Sequence, residues 1–325
     1  MADHAVDDDF DGDIFIYRGG RPPQRITHAR IDTSVLEIEK FDFKDCYKLL
    51  TVETHDGLRK IGEYALSRCK SLWWINIKSV IEVESGAFWQ CKNLESVEFG
   101  DRLETIGSHA FKGCPLKHLK LPSIINIQNH AFDWCTKLTD VELSERLETV
   151  EAQAFHGCVR LQRIAIPLKR DLFQYIRNYE GYNQIFGGCD QLVTVDLVGQ
   201  AHTKTIVSLH MESWRNEMIA EINRINQVLP TTPADDKTDE IRQWMETVLD
   251  KMDHYKAEHV RYVKEGITLL ELALWKAKLY EREDDCEEGK TKKAKVDAES
   301  VRKEKRITCG ADTVIKNVLP FLQLE

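Results

Sequence analysis

The chain has 325 residues, 42% of them hydrophobic and 30% charged, with a formal net charge of −9. That length exceeds one domain of ~100–200 residues, the composition supports a packed core, and the acidic balance argues against nucleic acid as a partner. No charge-free apolar run approaches the ~20 residues that span a bilayer, so no membrane role is expected.

The first stretch, "MADHAVDDDFDGD", is acidic and lacks the basic and apolar regions of a secretory signal. A cytoplasmic protein is expected, with its nine cysteines reduced. Asp7, Asp9, Asp11 and Gly12 imitate the start of a calcium loop, but the twelfth position is Arg18 where a bidentate Glu is needed. Residues 14–17, "IFIY", read as a strand. Residues 1–25 are therefore expected to form an acidic arm and a capping strand, without a metal.

A repeat follows. "DRLETIGSHAFKGC" at 101–114 returns as "ERLETVEAQAFHGC" at 145–158. Cys46, Cys69, Cys91, Cys114, Cys135, Cys158 and Cys189 fall at spacings of 23, 22, 23, 21, 23 and 31. Each follows a large apolar residue by three positions: Phe43, Leu66, Phe88, Phe111, Phe132, Phe155 and Phe186. A second apolar set runs in step, as in Leu72, Ile75, Ile77 and Leu138, Val141, Leu143. With Ile26, Ala29, Ile31 it makes eight copies. Each copy supplies a short strand with alternate residues inward, and stacked copies share one core. The Phe–Cys pair, three apart, fits a short helical or 3₁₀ turn on the opposite wall with both side chains inward.

The wording of these copies, as in "LETIGSHAFKGCPLKHLKL" at 103–121, resembles the BspA-type leucine-rich repeat. The resemblance covers roughly residues 26–200. It implies an α/β repeat solenoid of short parallel strands, about eight turns long, used for binding and carrying no catalytic residues. Copy two ends in Thr54 in place of an apolar residue. The last copy carries an insertion within "KRDLFQYIRNYEGYNQ" at 169–184, read as a distorted terminal repeat or a protruding loop.

The aligned cysteines lack the CxxC pairing of zinc sites, and stacking buries them as small hydrophobes in a structural ladder. No metal, cofactor or catalytic residue is assigned. The strands' outward columns are polar, mixed in sign and different in every copy. They yield the candidate partner-binding residues Arg30, Glu53, Trp74, Asn76, Glu98, His118, Lys120, Asp140, Glu142 and Arg163, with Ala165 and Asp196 continuing one column. An outward Trp at 73 or 74 is a natural anchor.

After Leu197 the pattern changes. Apolar residues from Met211 through Trp214, Met218, Ile222 and Ile225 to Leu229 recur at helical spacing, predicting one helix over 205–229. "PTTP" at 230–233 ends it, and a second run from Asp236 to Glu283 reads as one long helix or two interrupted near Gly266. The helical hairpin over 205–285 is expected to cap the solenoid, to form a semi-independent domain, or to self-associate as a coiled coil. Residues 286–306 form a charged linker whose 290–306 segment resembles a bipartite nuclear import signal. Residues 307–325 are apolar enough for a short C-terminal helix.

The expectation is a non-enzymatic scaffold that binds a protein partner of unknown identity through the strand face. The alternatives are a nuclear regulatory factor using 290–306, and an enzyme using Cys309 with His254 or His259.

Overall fold

The computed structural model describes residues 10–11, 13–173, 184–209 and 211–287. Short strands recur on two walls. The first wall opens with β1 (Phe10–Asp11) antiparallel to β2 (Ile14–Tyr17), and β2 runs parallel to β3 (His28–Ile31). It continues through β5 (Thr51–Glu53), β7 (Trp74–Ile77) and β9 (Ser96–Phe99). A separate four-stranded sheet then holds β11 (His118–Lys120), β13 (Asp140–Glu142), β15 (Arg163–Pro167) and β16 (Thr194–Val198). The second wall is one six-stranded sheet of two-residue strands: β4 (Glu37–Ile38), β6 (Lys60–Ile61), β8 (Glu82–Val83), β10 (Thr105–Ile106), β12 (Asn126–Ile127) and β14 (Thr149–Val150).

Register follows the repeat. Val52 pairs with Ile75 and Ile75 with Val97, while Leu119, Val141, Ile164 and Val195 form a second row. The pleat then turns every such residue inward together. The break between β9 and β11 has a sequence cause. The inward residue lies six positions after the cysteine elsewhere, but Leu119 lies only five after Cys114, and Pro115 lacks an amide donor. Side chains span the interruption: Glu95 pairs with Lys117 and with Lys137, each at 2.6 Å.

The Phe–Cys segments make a third side with its own backbone ladder. Phe43 N donates to Ala65 O, Leu66 N to Ala87 O and Phe88 N to Ala110 O, at 2.7–2.8 Å. Within this arc the rings of Phe88, Phe111, Phe132, Phe155 and Phe186 stack at centroid separations from 4.9 to 6.0 Å. All five are fully buried, each contributing about 2–3 kcal/mol of burial.

Six turns carry all three sides, from β3–β4 to β13–β14. The turn of β15 has only a bridge between Val150 and Phe173 on the second wall, and β16 leads directly into helix. The expected eight copies are therefore six complete turns and two partial ones. In the turn of β15 the cause is the insertion at 169–184, most of which lies outside the described residues, and after β16 it is the entry into helix at Ala201.

Three helices follow: α1 (Ala201–Ser208), α2 (Glu212–Val228) and α3 (Lys237–Glu287). The single helix expected over 205–229 is thus two. Ser208 Oγ donates back to Thr205 O, and the Arg215 guanidinium takes the carbonyl of Leu209, which satisfies the backbone at the break. Gly266 does not interrupt α3. The chain divides into two compact units: residues up to His202 with Ile219–Leu249, and Thr203–Met218 with residues from Asp250 onward. In the second unit Trp214 stacks on Tyr255 at 5.1 Å, and Tyr255 donates to Glu217. Among the described residues no helix is long and apolar enough to cross a membrane.

Within the first unit, the parts of α2 and α3 that belong to it finish the last turn. Thr238 Oγ1 accepts from Phe186 N at 3.0 Å, the role that a backbone carbonyl of the next turn plays elsewhere. Asn226 Oδ1 accepts from Val195 N at 2.8 Å, and the buried Lys237 ammonium donates to the carbonyls of Cys189, Asp190 and Leu192. At the opposite end Tyr17, fully buried, packs on Phe43 at 4.9 Å and donates to Asp42. Both ends of the stack are closed by polar side chains that replace an absent neighbour.

Candidate functional site

The strand face brings the predicted columns together as rungs between neighbouring turns. Arg30 Nε reaches Glu53 at 2.7 Å, and the ring of His28 shares a 2.7 Å hydrogen bond with Thr51. Trp74 Nε1 donates to Glu98 at 3.2 Å, while Lys78 pairs with the same carboxylate at 2.7 Å. These partners hold the Glu98 carboxyl below its usual range, the Lys78 ammonium being the chief cause. Beyond the break, Lys120 pairs with Glu142 at 3.3 Å. Arg163 clamps Asp140 at 2.9 Å and Asp196 at 2.6 Å. His118 is exposed, and Asn76 turns its Oδ1 back to Lys78 N. Thr54 donates to the Asn76 carbonyl, so the polar ending of copy two costs no orphaned group.

Two expectations change. Ala165, read as outward, is buried at 2% exposure between Glu142 and Asp196 of the adjacent strands. Of the paired indoles, Trp74 is half-buried, and Trp73 just before the strand is the one presented to solvent, at 53% exposure. The two rings lie 6.4 Å apart.

All seven ladder cysteines are free and buried. Each thiol after the first donates to the carbonyl of the large apolar residue one turn back: Cys69 to Phe43 O at 3.0 Å, Cys91 to Leu66 O at 3.1 Å, and so on to Cys189 and Phe155 O at 3.2 Å. Burial pushes the Cys46 thiol up to about 11, and it also holds those of Cys69, Cys91 and Cys158 well above their ordinary value. The arrangement suits packing and disfavours the nucleophilic thiolate. Among the described residues no cluster has the geometry to hold a metal ion. Asp7, Asp9 and Gly12 of the calcium-like stretch, the 290–306 segment, Cys309 and the tail at 307–325 lie outside the described residues.

One feature of the arc was not read from the sequence. The residue before each cysteine takes a left-handed backbone: Asp45, Arg68, Gln90, Gly113, Trp134, Gly157 and Gly188 all have φ between 58° and 73°. A second left-handed column two residues before the apolar position holds Phe41, Tyr64, Gly86, His109, His130 and Gln153. This conformation costs an L-residue about 1–2 kcal/mol. The glycine of "AFKGC" was the available signal. Side chains fill the spaces left by glycine one turn on: a Cβ on Gly86 would lie 2.2 Å from the Tyr64 ring, and one on Gly157 3.1 Å from Trp134. The outer arc is thereby lined with stacked rings, Phe41 on Tyr64 at 5.8 Å and His109 on His130 at 4.7 Å.

These three-sided turns define a leucine-rich solenoid, and sequence comparison assigns the kind. The profile of the BspA type leucine rich repeat region matches residues 23–133 and 110–222 in six copies, which is more than half the chain. The chain belongs to the BspA-type leucine-rich repeat family. No curated protein matches it. Similar solved structures include a leucine-rich repeat protein of T. pallidum, 21% identical over 61% of this chain and 88% of that one, with a TM-score of 0.43. Another is a leucine-rich repeat protein of Bacteroides ovatus, 19% identical over 54% of this chain and 55% of that one, TM-score 0.35. A leucine-rich cell surface protein of Faecalibacterium prausnitzii is 17% identical over 54% and 80%, TM-score 0.25.

Proposed function

We propose that the chain is a non-enzymatic scaffold that binds a protein partner on the strand face of the solenoid. Family membership supports an interaction role. The observation that carries the reading is Trp73, a large exposed ring braced by Trp74 on a hydrogen-bonded sheet whose other polar residues differ in every turn. Exposed aromatics on a rigid support dominate interface energetics, while the paired rungs around them contribute specificity more than affinity. Affinity capture with the full chain, quantified by mass spectrometry, tests this. A partner depleted by both Trp73→Ala and Arg163→Glu supports the reading, and capture unaffected by either overturns it.

A second reading concerns the helices. Leu269, Leu272 and Trp275 of α3 are exposed at 67%, 53% and 62%. We propose that this face mediates self-association. Light-scattering mass of the full chain should fall to that of a monomer on Leu269→Glu with Leu272→Glu; a monomeric wild type contradicts it.

A further inference from the structure

The outer arc of the first two turns departs from the rest of this acidic chain. Phe41 and Tyr47 are exposed at 37% and 43%, and Phe41 stacks on Tyr64 with an interplanar angle of 21°. The Lys44 ammonium lies 4.8 Å from the Phe41 ring and 5.9 Å from the Tyr64 ring, and Lys70 lies 5.1 Å from Tyr47. Among the described residues Lys44, Lys48 and Lys70 form no ion pair, whereas nearby Lys40 pairs with Glu63 and Arg68 with Asp45. The acids of the arc, Asp45 and Glu63, are thus taken up by Arg68 and Lys40, and on the second wall Glu37, Glu82 and Glu84 surround Lys60. Phe41 and Tyr64 are also held in left-handed backbone, at φ 65° and 53°, where the equivalent position of the next turn is Gly86. Large rings are thus kept at positions the fold would more readily give to glycine.

We propose that this arc is a second docking surface, distinct from the strand face, and that it takes a short acidic peptide segment of a partner protein carrying aromatic residues. Three ammonium groups that have no carboxylate partner among the described residues supply the charge complementarity, and the Phe41, Tyr47 and Tyr64 rings supply apolar contact. The size fits a peptide. Adjacent turns lie about 4.8 Å apart, so two turns match a few residues of extended chain at about 3.4 Å each. A nucleic acid would overrun this patch onto a molecule of net charge −9, losing the phosphate neutralisation on which its affinity rests.

The test is fluorescence anisotropy of the full chain with three labelled probes: a peptide of Asp and Glu with interspersed Phe, its Asn/Gln counterpart, and an oligothymidylate of similar length. The acidic peptide should bind saturably and more tightly than either control. Lys44→Glu with Lys70→Glu should weaken it about tenfold, the sum of several exposed charge contacts. Phe41→Gly should also weaken it while leaving thermal stability undiminished, because glycine accepts that backbone. Equal binding of the acidic and amide peptides, tighter binding of the oligothymidylate, or indifference to both substitutions would overturn the proposal. None of these outcomes bears on the strand face, where Trp73 lies.

Discussion

The ammonium of Lys237 donates to the carbonyl of Leu192 at 2.8 Å, and to those of Cys189 and Asp190 at 3.0 and 2.9 Å. A single side chain from the start of α3 therefore occupies three acceptors left open by the last turn. Burial holds the lysine below its ordinary value, yet three oxygens are placed to receive its protons. Lys237→Met would strand those carbonyls. A loss of about 3 kcal/mol is expected, measured by urea denaturation. An unchanged midpoint would show that the cap is decorative.

The stacked pair His109 and His130 predicts a pH dependence. Burial lowers both imidazoles from their ordinary 6.5, the neighbouring Lys112 adds to this, and Asp133 opposes it. His156 faces the same carboxylate at 3.0 Å. Above 6.5 the imidazoles are neutral in both folded and unfolded chains. As pH falls below 6.5 the unfolded chain takes up protons that the folded pair resists, so stability drops until the folded values are passed. Urea midpoints should therefore fall between pH 7.5 and 5.5, and His109→Gln with His130→Gln should flatten the fall.

Gly86 and Tyr64 form a testable pair. Gly86→Ala sets a Cβ against the Tyr64 ring at φ 64°, and should cost about 2 kcal/mol. Tyr64→Ala removes the obstruction but not the strained backbone. The double variant should recover about half of that loss in a double-mutant cycle. Strict additivity would mean that the ring does not fill the glycine's space.

The ladder thiols should resist alkylation. Iodoacetamide at pH 8 should leave peptides containing Cys69, Cys91 and Cys158 unmodified in the native chain and modify them in urea, since burial raises these thiols well above their ordinary value. Cys91→Ala should cost about 1–2 kcal/mol, for the lost sulfur packing and the bond to Leu66 O.

Much of this was legible in the letters. The inward columns through Val52, Ile75 and Val97 announce their register because the pleat has period two and the repeat keeps its spacing. The thiol ladder was legible for the same reason. The role of Lys237 was not, since nothing in "ADDKTDE" reveals which carbonyls lie opposite it. Nor was the left-handed arc. Glycine at 113, 157 and 188 hints at it, but Arg68, Gln90 and Trp134 occupy the same conformation because the ladder on either side imposes it. The ranking of Trp73 over Trp74 depended on which indole reached Glu98, a contact between turns.

The central claim, recognition by the strand face, is tested most directly by hydroxyl-radical footprinting of the captured complex. Three exposed tryptophans report on three surfaces: Trp73 on the strand face, Trp134 on the arc and Trp275 on the helical unit. The account predicts that the partner slows oxidation of Trp73 and leaves Trp275 unchanged. Trp73 oxidised at its free rate while Trp275 is protected would contradict it, making the helices the working part and the solenoid their support.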